Sequence, residues 1–491
     1  MNHHSNANTT NNAHDTVNAH NPVRKYFPVL FYPHPLLIPV VIMVPVALMI
    51  LTVLTLLMAP VNSSFAQLEI PSSFNPVGSG ARALGMGGAF IAVADDATAA
   101  SWNPSGLVQL ELPEVSFVGA FSHRIEDNTF DTNPEASGSQ SISKNRVNYL
   151  SAACPVIFWG HNVVLAANYQ NLFDLTRDWD FRLFRNSDGS RQNWDVDYKQ
   201  EGSLSAYGIA CCVQITPCFS FGSTVNIWQD GVYRNQWKQE YSVTIGESAI
   251  GENIGEGDDF TTEYKSTDKY SLAGLNFKRG LNFNIGMLWS LTDTLTMGAV
   301  LKTPFEVRIR KESTYHSSSY FAGIPIGSSD SCPETETETL DMPMSYGIGF
   351  AWRFSDEFTA SLDLYRTEWG QFVLTDAKGN RTSPISDRPL NESDIKPTHQ
   401  IRLGAEYLFI RPGYVVPLRG GVFYDPAPAE GNPDDFFGFS VGSGLAVKRF
   451  VFDIAYQYRF GNNIGTYILP HLGFSQDVEE HILYSSLIVH L

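Results

Sequence analysis

The stretch Thr398-His399-Gln400-Ile401-Arg402-Leu403-Gly404-Ala405-Glu406-Tyr407-Leu408-Phe409 decides the fold. One set of alternate positions reads Ile401, Leu403, Ala405, Tyr407 and Phe409; the other reads Gln400, Arg402, Gly404 and Glu406. A period of two with one apolar and one polar face specifies a β-strand. The pattern recurs outward from this segment. Phe358, Ala360, Leu362 and Leu364 interleave with Thr359, Ser361 and Asp363, and Phe452, Ile454, Tyr456 and Tyr458 with Asp453, Ala455, Gln457 and Arg459. In all, 14 segments alternate, near 114–124, 145–157, 161–175, 202–216, 218–235, 270–290, 294–311, 342–354, 357–370, 398–409, 417–425, 437–447, 450–460 and 481–491.

Their connections alternate too. Six are short, such as Phe158-Trp159-Gly160 and Val447-Lys448-Arg449. Seven are long, at 125–144, 176–201, 236–269, 312–341, 371–397, 426–436 and 461–480. An even strand count, short turns at one end and long loops at the other predict an all-β, antiparallel transmembrane barrel of 14 strands. Phe158, Trp159, Trp289, Trp352, Phe354, Phe358, Phe409 and Phe450 lie beside the short turns, where amphipathic rings form an interfacial girdle. A soluble sandwich explains the alternation but not the loop asymmetry or the girdle.

Composition agrees. The chain of 491 residues has 51 carboxylates against 33 Lys and Arg, a net charge of −18, which disfavours nucleic acid as a partner. Only 17% of residues are charged and 13% are aromatic, unlike a disordered chain. Residues 1–66 read as a leader and signal peptide. Arg24 and Lys25 precede the apolar run Leu36–Met58, and Ser64-Phe65-Ala66 offers small residues for cleavage before Gln67. An uncleaved inner-membrane anchor is the alternative reading of that run. The five Cys include no C-x-x-C pair; Cys211 and Cys212 are adjacent and point to opposite faces of their strand.

Residues 67–112 do not alternate. Gly78, Gly80, Gly85, Gly87 and Gly88 permit tight turns, Asp95 or Asp96 is placed to cap a short helix over Ala97–Trp102, and Asn103-Pro104 ends it. A small-residue segment of this length ahead of a barrel reads as a luminal plug, with the barrel over 113–491. The run Gly80-Ala81-Arg82-Ala83-Leu84-Gly85 through Ala99-Ala100-Ser101-Trp102-Asn103-Pro104-Ser105-Gly106-Leu107 closely resembles the N-terminal hatch of the FadL family of outer-membrane transporters for long-chain fatty acids and related hydrophobic compounds. Leu301-Lys302-Thr303-Pro304-Phe305, Met342–Asp363, Arg402–Tyr407 and Leu418–Pro428 are similar as well. The resemblance implies a 14-stranded barrel in the cell outer membrane, an N-terminal hatch, and lateral release into lipid through an inward kink of the third strand. Strand 161–175 has no Gly or Pro from which to read that kink. Two departures stand out: Ser105 replaces the family's usual Ala, and the chain ends His490-Leu491 rather than on an aromatic residue.

Gly438-Phe439-Ser440-Val441-Gly442 matches G-x-S-x-G but sits inside an alternating strand, not at a nucleophile elbow. No enzyme activity and no cofactor or metal is expected. The acidic stretches around Glu247–Glu263 and Asp330–Asp341 read as solvated outer faces, with divalent-cation binding as the sharper reading. By strand parity Lys302, Arg308, Asp363, Arg402, Glu406, Arg419, Asp453 and Arg459 face inward, mostly as mutual pairs. The expected substrate-binding residues are Asn103, Pro104 and Ser105, where a small residue at 105 leaves room for an acyl chain, and Lys302 and Arg402 for a carboxylate. The expected partners are a long-chain fatty acid or other hydrophobic small molecule and outer-membrane lipid, with the protein a monomer. The alternative function is an outer-membrane shuttle or anchor subunit of a protein secretion system built on the same barrel.

Overall fold

A computed structural model describes residue 76 and residues 78–187, 190–230, 235–249, 260–272 and 280–491. The leader, most of the acidic stretch Glu247–Glu263 and the stretch 67–75 therefore lie outside the described residues.

In chain order the strands are β1 (Glu114–Phe130), β2 (Gly138–Phe158), β3 (His161–Asp174), β4 (Arg177–Ser187), β5 (Ser190–Thr216), β6 (Phe219–Ile227), β7 (Gln236–Ala249) and β8 (Phe260–Leu272). Next come β9 (Leu281–Ser290), β10 (Leu295–Lys302), β11 (Phe305–Phe321), β12 (Ile324–Asp330), β13 (Glu334–Met342), β14 (Ser345–Arg353) and β15 (Phe358–Thr367). The last are β16 (Val373–Thr375), β17 (Arg381–Thr382), β18 (Thr398–Arg411), β19 (Tyr414–Tyr424), β20 (Phe437–Val447), β21 (Phe450–Ile464) and β22 (Phe474–His490). Antiparallel pairing runs β1–β2–β3–β5–β6–β9–β10–β14–β15–β18–β19–β20–β21–β22 and closes from β22 back onto β1. That circuit is the closed 14-stranded barrel, in which no strand edge is left unpaired in lipid.

The alternation is inside-out relative to a soluble protein. On β21, Phe452 and Ile454 are exposed while Asp453, Ala455, Gln457 and Arg459 are buried. At the short-turn end Phe158, Trp159, Trp289, Trp352, Phe354, Phe409 and Phe450 are all exposed, as a girdle requires.

Three of the long loops are not loops. β4, the upper half of β5, β7, β8, β11, β12 and β13 form a second sheet that continues the wall upward beyond the barrel on one side. The segment read as one strand over 294–311 breaks at Thr303-Pro304, between β10 and β11. Proline cannot donate to the ladder, and side-chain parity reverses there. Val300 is buried below the break; above it Val307 and Ile309 are buried and Arg308 is exposed. Arg308 thus faces outward, contrary to the parity expectation.

The segment from Gly78 to Leu110 fills the lumen. It holds short helices at Ala81–Gly85 and Ala99–Trp102 and a 3-10 turn at Pro104–Gln109. Asp96 Oδ1 accepts from the Thr98 backbone N–H (2.8 Å) and hydroxyl (2.5 Å) at the start of the second helix. Phe90, Met86 and Leu107 pack with plug alanines against the small wall residues Ala153, Ala166, Ala210 and Cys212. An irregular backbone cannot satisfy its own buried polar groups. Here the polar inner faces of the strands do so. Asp363 Oδ2 accepts from Phe90 N (2.6 Å) and Ile91 N (2.8 Å), Tyr149 Oη donates to Ala97 O (2.8 Å), and Thr224 Oγ1 donates to Ala100 O (2.7 Å).

Candidate functional site

The plug is locked to the wall through charge. Arg82 pairs with Asp95 on the plug and, through two hydrogen bonds (3.0 and 2.9 Å), with Glu406 on β18. Glu406 also takes Arg419 Nε (2.7 Å), and Arg419 reaches Asp453 (2.6 Å). Arg402 donates to Gly87 O (3.1 Å) and Asp425 (3.0 Å), and Arg459 joins Asp425 to Glu480. Arg402, Glu406, Arg419, Asp453 and Arg459 are thus all ion-paired, whereas Asp363 spends its carboxylate on the plug backbone. Arg402 spends its donors on the plug and on Asp425. Ser440, from the G-x-S-x-G match, donates to Gly85 O (3.1 Å) and accepts from Gly87 N (2.8 Å), so its hydroxyl holds the plug.

Asn103, Pro104 and Ser105 are fully buried at the plug's contact with β5, β6 and β9. Asn103 Nδ2 donates to Ile91 O (2.8 Å) and Met287 O (3.1 Å), while its Oδ1 accepts from the Ser105 hydroxyl (2.6 Å). Ser105 O accepts from Cys212 Sγ (3.1 Å) and Ser220 Oγ (3.0 Å). The wall comes so close that a Cβ at Gly286 would overlap Asn103, and one at Gly222 would overlap the Pro104 carbonyl. The space beside Ser105 is therefore taken up by plug and wall.

A cavity of about 50 Å³ opens between the plug and the outer loops. Its polar side carries Gln170, Asn226, Asn284 and Lys302. The amides form a ladder across neighbouring strands: Gln170 Nε2 donates to Asn226 Oδ1 (2.9 Å), and Asn226 Nδ2 to Asn284 Oδ1 (3.1 Å). Its apolar side carries Phe173, Trp228, Phe305, Met342 and Trp369. Trp228 stacks on Phe305 at 4.9 Å, and its indole N–H is bonded to Asn282 (2.8 Å). Lys302 makes no ion pair among the described residues; its ammonium lies 5.8 Å from the Tyr365 ring. Of the five expected binding residues, Lys302 alone lines this cavity. The aromatic and amide lining was missed because its members come from separate strands with nothing shared in the linear pattern.

The wall beside the cavity is stepped. The β2–β3 ladder runs from Phe158↔His161 up to Tyr149↔Gln170 and stops. Just above, the β1–β2 register skips Asn148, and the β3–β5 register skips Leu172. Asn148 is turned fully inward, holding Gly78 O (2.9 Å) and Gly80 N (3.3 Å) of the plug. Alternation would send Tyr169 and Asn171 outward with the exposed Leu165, yet they are 6% and 3% exposed. Arg146, on the inward side of β2 opposite Ala120, ion-pairs with Asp174 at the end of β3. The upper end of β3 has therefore moved inward behind β2. Two bulges produce the displacement, which ordinary residues can form; no Gly or Pro was there to announce it. At the step Asn168 is 6% exposed, and neither amide atom has a hydrogen-bond partner among the described residues.

A sequence profile described as outer membrane protein transport protein (OMPP1/FadL/TodX) matches residues 74–465. The chain belongs to this family. It is an outer-membrane β-barrel transporter of hydrophobic compounds. Its fold is similar to a Pseudomonas aeruginosa FadL homologue at 14% identity and TM-score 0.54, covering 85% of this chain and 100% of that one. It is also similar to the Pseudomonas putida toluene transporter TodX at 12% identity and TM-score 0.50, covering 85% and 100%. At these identities the likeness is one of fold. No curated protein is similar enough in sequence to count as a relative.

Proposed function

We propose that the transporter carries long-chain fatty acids or similar amphiphiles: the carboxylate is held at Lys302 and the acyl chain lies against Phe173, Trp228, Phe305 and Trp369. The observation that carries this reading is the pairing of one cation with a polar floor of neutral amides and hydroxyls, directly under an aromatic wall. A toluene-like substrate would have no use for Lys302. The cavity is smaller than the roughly 150 Å³ that admits benzene in an engineered protein core. Loading therefore needs the outer loops or the plug to yield. Each buried methylene contributes about 0.8 kcal/mol, so release into water is costly and release into lipid is not. The step between β2 and β3 adjoins the cavity through Gln170, Leu172 and Phe173, and it is the exit this reading assigns. The unsatisfied amide of Asn168 offers a hydrogen-bonding site to a passing headgroup. In the same proposal Asn103, Pro104 and Ser105 are the seat that the plug leaves on loading, Arg402 is a plug anchor, and the chain divides into a leader (1–66), plug (67–112) and barrel (113–491).

The test is binding by purified protein of a long-chain fatty acid against its methyl ester. Wild type should prefer the acid by at least tenfold, and Lys302→Gln should bind both alike, with the ester unaffected. Equal binding of acid and ester by wild type, with tight binding of toluene, would replace the reading with an aromatic-hydrocarbon channel.

A further inference from the structure

The outer face of the wall just above the step carries a cluster of cations that transport does not use. On that face, Glu201 of β5, Lys238 of β7, Lys269 of β8 and Glu312 of β11 lie directly opposite one another in a single cross-strand row. Arg310 is the diagonal neighbour of Lys269, through its register partner Ser271. Lys144, on the same inward side of β2 as Arg146, reaches out from behind β2 across the step to Glu201 at 3.9 Å. Together these six residues line a concavity of about 650 Å³.

Two observations point to an anion. Lys238 and Lys269 are directly paired across strands, an arrangement that is destabilising unless a negative charge sits between them. Glu240 takes Lys238 from the next row, but Lys269 and Arg310 make no ion pair among the described residues. Four cations against two carboxylates is also a local reversal in a chain of net charge −18. The height of the cluster points to the source of the anion. Lys144 pairs with Ser122, one register step above the Phe121↔Asn145 pair. Phe121 is 42% exposed on the lipid-facing side of β1. The cluster therefore stands where acyl chains give way to headgroups.

We infer that this concavity binds the phosphate of an outer-leaflet lipid, docking one anionic lipid against the outer wall beside the β2–β3 step. Multiple cations converging on one phosphate make short, charge-assisted hydrogen bonds. The inference is independent of which substrate the lumen carries.

The experiment uses the full mature protein in detergent, probed by native mass spectrometry with bis-phosphorylated lipid A, dephosphorylated lipid A and inorganic phosphate. Lipid A should be retained at least tenfold better than its dephosphorylated form and released by raised salt. The Lys238→Gln, Lys269→Gln double variant should lose at least tenfold, whereas Lys448→Gln, in a short turn at the opposite end, should bind as wild type. Heat-modifiable migration checks that each variant is folded, and Arg310→Gln, with a loss in the same direction, serves if the double variant is not. Equal retention of dephosphorylated lipid A, unchanged binding by the folded variants, or displacement of lipid A by equimolar inorganic phosphate would overturn the inference.

Discussion

At the scale of single residues, the plug's motif works through what it touches. Asn103 and Ser105 bond to each other and to β5, β6 and β9, and neither lines the cavity. Replacing Ser105 with Leu adds bulk to a close-packed seat, a change that costs about 1–3 kcal/mol, and it removes the hydroxyl bond to Asn103. Amide hydrogen exchange over Ala99–Gln109 should accelerate by roughly tenfold or more as local opening becomes easier, while the barrel strands keep wild-type protection. Unchanged exchange in a folded Ser105→Leu protein would show that the seat is loose. The sequence marked Asn103-Pro104-Ser105 by its turn chemistry. It could not say that the space around Ser105 is filled by the close approach of Gly222 and Gly286, which lie more than 100 residues further along the chain.

At the scale of elements, all 14 wall strands were legible, because lipid outside and a polar lumen inside impose a strict period of two. The extension was not. Segments such as Phe260–Leu272 alternate Thr, Tyr, Lys and Ser, and hydropathy does not distinguish that from a polar loop. The parity of Arg308 failed because Thr303-Pro304 interrupts the ladder, and the inward step of β3 was invisible because bulges at Asn148 and Leu172 carry no composition signal. The loop between β19 and β20 makes its own prediction. Asp434 is buried there, accepts from Gly465 N at 3.2 Å and bridges to Ala427. Burial pushes its carboxyl well above the usual range, with Asp435 adding to the shift and Arg459 opposing it. A raised carboxyl stabilises the folded loop at low pH, where it is protonated in both states, and that stability is lost as pH rises through the folded value. Protease cleavage within 426–436 should therefore be faster at pH 8 than at pH 5 after correction for protease activity. Asp434→Asn should flatten the difference; a pH dependence surviving in Asp434→Asn would assign it elsewhere.

At the scale of the whole molecule, the proposed function makes the barrel, the plug and the cavity one path. The taller wall built from β4, β5, β7, β8 and β11–β13 stands above the cavity, the ion-paired plug closes the floor, and the step in the wall lies at the cavity's side. Burial of apolar surface drives a hydrophobic molecule into such a cavity, and lipid is the one neighbouring medium that accepts it without returning that free energy. The most direct measurement of this account is photo-crosslinking in cells with a long-chain fatty acid that carries a mid-chain diazirine, followed by mapping of the labelled residues. The account predicts labels at Phe173, Trp228, Phe305 and Trp369 and at the step around Tyr149 and Tyr169. Labels spread down the plug toward the short-turn end, with none at the step, would contradict it.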